Sequence, residues 1–322
     1  MKVYWDRNDD ERSKAQLRSL RKSRYGISPD DRVCSFHSAV YMGNKLMPHE
    51  GSIVSRDGKQ LSFSVMGLTD ERLKSCLVEM ADFGANWLSL RPSIALLLAE
   101  AIERHNLPIP PTLRYVELTG ELLLDEHRRI IQGVFQVELA FLCSSGETNP
   151  IAFECKHKSL HVLDDDVAVE IVKGGHPVIG EVGGIHVTSL RNHAMPLIRF
   201  ETGDIGLLLD TVCRCGEKTP TLKLVDSHPC EFFVSEAGQR ISGASMESII
   251  EHTNESMSRA IRKFRITQKA PGEFDVELAL KPAYVNWQES VKQEFLANVS
   301  EPGLKLAKWD FVYAEGSRNM RG

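Results

Sequence analysis

The sequence predicts a mixed α/β body followed by a small α+β domain. Three observations carry that expectation. The chain has 322 residues, about twice a common domain length, and 42% of them are hydrophobic, enough to build a sizeable core. Helical periodicity alternates with short apolar runs up to about residue 135, and β-like runs between Gly, Pro and Asn turns then take over. After a sparse stretch at Asp226–Glu231, a shorter helix–strand alternation fills the rest. The boundary is placed between 227 and 228, giving a large domain (1–227) and a small C-terminal lid (228–322).

The elements follow in order. Residues 8–25 read as a helix capped by Asn8 or Asp9 and ended by Gly26, with Arg18, Arg21, Lys22 and Arg24 as a solvated basic face. Strands are expected at 33–36 and 61–65, the second after the turn Ser55-Arg56-Asp57-Gly58. Helical patterns cover 69–83 and 92–105. A strand at 113–118 leads into Thr119-Gly120-Glu121, and another helix runs to about 134. Strands then read at 137–143, 151–155, 167–172, 184–189 and 206–209. In the small domain, 232–235 and 239–241 form a hairpin around Ala237-Gly238. A helix at 244–252, strands at 263–268 and 274–280, a helix at 287–299 and a last strand at 309–313 complete the chain.

Composition excludes several function classes. Lys and Arg number 39 against 44 Asp and Glu, a net charge of −5 without a basic domain, which argues against a nucleic-acid or membrane-surface partner. Ile94–Ala99 is the longest apolar run and is too short to span a bilayer. The opening Met1-Lys2-Val3-Tyr4-Trp5-Asp6 has no apolar signal core. Seven cysteines, an odd number, point to a reducing cytoplasmic compartment and to metal before disulfides.

Three constellations carry chemistry. Cys155, His161 and the knuckle Cys213-x-Cys215-Gly216 supply the Cys₃His set of a closed tetrahedral zinc site. His161 is preferred over His157 because it begins an apolar strand-like run; the bland alternative is a set of unrelated thiols. Ser144-Ser145-Gly146-Glu147-Thr148 follows an apolar run, and a carboxylate on such a turn can hold Mg²⁺ among phosphate oxygens, though most such turns are only turns. Asp204, on a Gly-flanked turn after Met195–Phe200, can accept both hydroxyls of a ribose or simply cap its turn. No G-x-x-x-x-G-K-[ST] and no G-x-S-x-G occurs, which counts against phosphate-loop NTPases and α/β-hydrolases.

These pieces, in this order, resemble the adenylate-forming enzymes, and within them the phenylacetate–CoA ligase-like and capsular-polysaccharide-type branch. The residues that carry the resemblance are Thr119-Gly120-Glu121, Ser145–Thr148, Pro150–Cys155, Gly180–Gly184, Thr188-Ser189-Leu190 with Asn192, and Pro196–Gly206. Arg199-Phe200-Glu201-Thr202-Gly203-Asp204 is the most specific of them. The resemblance implies an ATP-dependent ligase that turns a small carboxylic acid into an acyl-adenylate and passes it to CoA, a carrier-protein thiol or another acceptor. It further implies that Glu147 is the catalytic residue, holding Mg²⁺. By the same carry-over Thr119, Gly120, Glu121, Ser144, Ser145 and Gly146 line the adenine and α-phosphate of ATP or AMP, and Asp204 binds the ribose. Ser35-Phe36-His37 and Trp87 fall at acyl-pocket positions. The branch also carries a Phe-Glu-Cys … Leu-His … Cys-x-Cys-Gly pattern, repeated here at 153–155, 160–161 and 213–216, that implies structural zinc.

Four departures qualify the expectation. The family's phosphate loop belongs just before a Lys2–Asp6 strand, so the chain reads as a partial large domain, either an in-frame fragment or a natural short form. The family's Tyr-Gly-x-Thr-Glu reads Cys143-Ser144-Ser145-Gly146-Glu147. Its hinge Gly-Arg-x-Asp-Asp reads Ser227-His228-Pro229-Cys230-Glu231, and its terminal Gly-Lys has no match after Tyr313. Each lost donor is worth about 2.7–4 kcal/mol of transition-state stabilisation, so weak or absent turnover is expected of the chain alone. A partner supplying the phosphate loop, or a catalytically degenerate relative acting as a binding or scaffold subunit, are the alternatives.

Overall fold

The computed structural model describes residues 3–38, 52–209, 212–227, 231–299 and 308–313. Helix α1 (Arg7–Tyr25) is followed by β1 (Val33–His37), β2 (Ser52–Val54), β3 (Gln60–Ser64), α2 (Asp70–Phe83), β4 (Trp87–Leu90), α3 (Pro92–His105), β5 (Tyr115–Thr119) and α4 (Asp125–Phe135). Strands β6 (Glu138–Ser145), β7 (Asn149–Glu154), β8 (Leu160–Val162), β9 (Val167–Lys173), β10 (His176–Val178), β11 (Gly183–Ser189), β12 (Phe200–Leu209) and β13 (Thr221–Asp226) come next. The chain ends with β14 (Phe232–Val234), β15 (Arg240–Ser242), α5 (Gly243–Ser256), β16 (Ile261–Ala270), β17 (Glu273–Leu280), a 3₁₀ turn at Pro282–Trp287, α6 (Gln288–Asn298) and β18 (Lys308–Tyr313). Among the described residues no helix is long and apolar enough to cross a membrane.

The chain divides into two compact units. One comprises Met1–Val33, Gly84–Leu96 and Pro111–Cys230; the other comprises Cys34–Phe83, Leu97–Pro110 and Glu231–Gly322.

In the first unit, ten strands lie in the order β10-β9-β11-β12-β13-β8-β7-β6-β5-β4. The β4, β5 and β6 strands are parallel, and α4 makes the crossover between β5 and β6. From β6 to β7 the sheet turns antiparallel, which is where the sequence changes to β character. The core joins Leu17 and Tyr25 of α1 to Tyr115, Ala140, Leu142 and Phe153 of the central strands. Burying such side chains contributes about 1.5–3 kcal/mol each. In the second unit, β1, β3 and β2 are neighbours in that order, β14 pairs with β15, and β18 adds to the β16–β17 hairpin in parallel. Its core packs Phe233, Ile249, Phe274, Val276 and Phe295 together with Met66.

Several expectations are corrected. Asp6, not Asn8 or Asp9, caps α1, its carboxylate accepting the Asn8 N–H at 2.8 Å. Asp9 instead accepts from the His193 ring at 2.8 Å. Residues 3–6 form no strand. The basic face of α1 is not wholly solvated: Arg21 pairs with Glu117 and Arg24 with Glu217, and the two arginine side chains are only 17% and 8% exposed. Gly26 does end the helix, at φ 70°. Strands β2, β4, β10 and β13 fall outside the expected ones. β4 has only four residues, between Asn86 and Arg91, too few to give a periodic signal.

Candidate functional site

Parallel strands collect ligands at their carboxyl ends, where successive turns open away from the sheet. Thr119 ends β5 and Ser144-Ser145 end β6, and their positions bring the Thr119 and Ser144 hydroxyls to 3.1 Å. The turn after β6 is rigid by its own side chains. Ser145 Oγ lies 2.9 Å from Thr148 Oγ1 and accepts the N–H groups of Glu147 and Thr148 at 3.2 and 3.0 Å, and Asn149 takes the left-handed conformation that closes the hairpin. Gly146 and the half-buried Glu147 sit at its tip, and among the described residues the Glu147 carboxylate makes no hydrogen bond or ion pair.

Asp204 arrives from another part of the sheet. The sequence places it on a turn; the structure places it inside β12, on a bulge. Three residues, Thr202–Asp204, stand opposite the single Ile185 between the pairs Gly184–Ile205 and His186–Glu201. Gly203 at φ +87° supplies the backbone conformation the bulge needs. Thr202 Oγ1 donates to the Ile185 carbonyl at 3.2 Å and accepts the Asp204 N–H at 3.1 Å, while Ser227 Oγ donates to Asp204 Oδ1 at 2.6 Å. Burial first, and the Asp204 charge second, push the Cys143 thiol up to about 12.

Gly120 and Glu121 follow Thr119 without facing the same way. Gly120 has φ +85°, and the Arg91 side chain lies 3.6 Å from where a Cβ would stand. Glu121 is buried, and its two carboxylate oxygens accept the Ser93 N–H and hydroxyl, both at 2.8 Å. The carboxylate therefore closes the first turn of α3, satisfying donors that a helix start leaves open.

The second constellation lies on β8 and two knuckles. One atom each from Cys155, His161, Cys213 and Cys215 fall within 4.8 Å of one another. The Cys155 and Cys213 carbonyls accept the Lys158 and Gly216 N–H groups at 2.9 and 3.0 Å, so each cysteine opens a tight turn; Lys158 and Gly216 take positive φ to make it. Cys155 Sγ and Cys213 Sγ are 3.7 Å apart. That is far beyond a disulfide bond of about 2.05 Å, and matches the edge of ~3.8 Å of a tetrahedron with metal–sulfur bonds of about 2.3 Å. His161 Nε2 faces the thiols, 3.2 Å from Cys215 Sγ. The Cys215 N–H and the Ser159 hydroxyl pull the Cys213 thiol down to about 6, whereas burial pushes Cys215 up to about 11. Three thiols and an imidazole in this spread fit a tetrahedral zinc ion. His157, the histidine passed over, is exposed on the turn.

Glu117 carries no signal in the sequence, whereas Trp87, Ser35 and His37 are the expected acyl-pocket positions. Glu117 of β5, fully buried, receives Arg21 Nε and Nη2 at 2.7 and 2.6 Å and the Tyr115 hydroxyl at 3.2 Å. Trp87 packs under the Arg21 guanidinium, 4.9 Å from its ring centre, and against Tyr115. In the second unit, Ser35 Oγ lies 2.8 Å from His37 Nε2 and accepts Gln60 Nε2 at 3.1 Å. Residues 228–230 of the expected hinge and the segment after Tyr313 lie outside the described residues.

No family model matches the chain. A phenylacetate-coenzyme A ligase of Thermus thermophilus is 27% identical over 166 residues, 48% of this chain and 37% of that protein. The matched region thus spans little more than a third of its relative. Among solved structures, 2-hydroxyisobutyryl-CoA ligase with 2-HIB-AMP and CoA in the thioesterification state is similar with a TM-score of 0.58 and 17% identity, over 97% of this chain and 68% of that one. The open conformation of the same ligase gives 0.53 over 97% and 70%. The fold is that of the adenylate-forming enzymes, a large mixed sheet with a small C-terminal α+β part.

Proposed function

We propose that this chain, which has the fold of the adenylate-forming enzymes, carries part of the site of a ligase that activates a small carboxylic acid as its acyl-adenylate and hands the acyl group to the thiol of CoA or a carrier protein. The observation that carries the reading is the meeting of the Thr119 and Ser144 hydroxyls at the carboxyl ends of the adjacent parallel strands β5 and β6, to which the reading adds Asp204, on the bulge of β12, as the ribose acceptor. In this reading Asp204, oriented by Ser227, accepts the two ribose hydroxyls. The Thr119 and Ser144 hydroxyls and the Gly146 turn lie against the adenine and α-phosphate. A carboxylate oxygen of the acid attacks the α-phosphorus as the bond to pyrophosphate breaks; the thiol sulfur then attacks the acyl carbon, and AMP leaves with the bonding pair. Charge grows on the phosphate oxygens in the first step, and fixed hydroxyl donors there lower its barrier. The Glu147 carboxylate, on a rigid turn and without a protein partner among the described residues, would hold Mg²⁺, which when bound supplies positive charge between the phosphates. Glu121 acts at one remove, fixing the start of α3 behind Gly120.

The same proposal assigns a structural zinc to Cys155, His161, Cys213 and Cys215. With all four corners of the tetrahedron filled by protein, no position is left for a reacting water, so the ion serves folding. Acyl-sulfamoyl adenosines, unreactive mimics of the acyl-adenylate, test the reading. A panel of aryl and short acyl variants should contain at least one that binds tenfold or more tightly than AMP. Equal binding across the panel and AMP would remove the acid from the proposal.

A further inference from the structure

The imidazole of His161 has two faces, and only one meets the thiols. Its Nε2 faces the cysteines; its Nδ1 lies 3.1 Å from Thr219 Oγ1 and 3.6 Å from Glu217 Oε2. Glu217 is itself held. Arg24 of α1 binds both its oxygens, Nε to Oε1 at 3.1 Å and Nη2 to Oε2. The remaining nitrogen of that guanidinium, Nη1, donates to the Phe153 and Glu154 carbonyls at 2.7 and 3.3 Å. Arg24 thereby ties the backbone just before Cys155 to the residue two beyond Cys215, reaching both halves of the ligand set from behind.

An imidazole binds a metal through a bare ring nitrogen, so the proton must sit on the other one. An acceptor at Nδ1 selects that tautomer, and a negative charge beyond it makes the ligating nitrogen a better donor. We propose that Thr219 and Glu217, the latter clamped by Arg24, are the positioning residues of the metal centre: Thr219 accepts the Nδ1 proton and Glu217 supplies the charge. This inference rests on the reading of the four-residue cluster as a metal site. Glu217 and Thr219 follow the knuckle at two and four residues past Cys215, on a segment whose only sequence signal was the C-x-C-G itself.

The experiment measures zinc affinity of the 322-residue chain by competition with a chromophoric chelator, and the cobalt(II) spectrum of the same proteins. Thr219→Val removes the acceptor and Glu217→Gln removes the charge, each with little change of shape. The pair together should weaken zinc binding about 10–100-fold. Thr219→Ser, which restores the hydroxyl, should bring affinity back to within twofold of the parent. The cobalt–thiolate charge-transfer bands should shift in the Val and Gln variants and not in the Ser variant, a signature that a loss of general stability would not produce. Zinc affinity of the double variant within twofold of the parent overturns the inference while leaving the metal reading intact. A parent chain that takes up neither zinc nor cobalt overturns the metal reading and this inference with it.

Discussion

Removing the metal, or one of its ligands, should separate a zinc-dependent fold from a fold that merely gathers four side chains. Cys155 is the informative position, because it is buried at 2% exposure and is the ligand farthest in sequence from the knuckle. A ligand that binds only the folded state stabilises it by RT ln(1 + [L]/Kd), or about 4 kcal/mol at a thousand times Kd. For a unit of this size, each kcal/mol shifts the melting temperature by about 2–4 °C, so saturating zinc should raise it by about 8–16 °C. Cys155→Ser, measured by calorimetry with and without added zinc in reducing buffer, should lose most of that increment. The reducing agent matters because Cys155 and Cys213 could otherwise be oxidised into a bridge that mimics the effect. Elemental analysis should give one zinc per chain. The reasoning fails if the chelated and zinc-loaded parent proteins melt at the same temperature.

Further expectations concern the scaffold around the nucleotide residues. Glu117→Ala leaves the mostly buried Arg21 without its partner and should cost about 3–5 kcal/mol in urea unfolding, whereas a Glu117→Met, Arg21→Met pair should recover much of it. Glu121→Ala strips the buried acceptor from both Ser93 donors and should cost about 1–3 kcal/mol. The hydrogen bond from His193, the largest influence, holds the Asp9 carboxyl below the ordinary carboxylate range. A depressed acid contributes stability that is present above its unfolded pKa of about 3.9 and is lost as pH falls through its folded value. The stability gap between the parent and His193→Ala should therefore narrow on acidification below that range, and a gap that widens would contradict the assignment.

What could be read from the sequence was local. Gly26 after a helical period and Gly216 after C-x-C each announced a backbone conformation that few other residues take, and both hold those conformations. Cys155 and His161 could be joined to the knuckle because thiol and imidazole chemistry limits what such residues do together. Long-range pairings left no such trace. Arg21 and Arg24 look like any exposed helical arginines until β5 brings Glu117 and the knuckle brings Glu217, residues 96 and 193 positions away. Asp204 was recognised, but its setting was not. A Gly-Asp pair reads as a turn, and only pairing with β11 on one side and β13 on the other shows it to be a bulge in a ten-residue strand. Glu121 was grouped with the ligand-facing residues through its neighbours, and its carboxylate is engaged by Ser93, 28 residues earlier.

Calorimetric titration of AMP into the chain and into Asp204→Ala tests the central claim most directly. The ribose acceptor is the best-defined part of the proposed site, and AMP needs neither the acid nor pyrophosphate to reach it. The parent chain should bind AMP at millimolar concentration or below, and the substitution should abolish the heat while leaving the zinc-dependent melting step in place. A parent chain that shows no binding at millimolar AMP, or an Asp204→Ala variant that binds it equally well, would contradict the assignment of these residues as a nucleotide site.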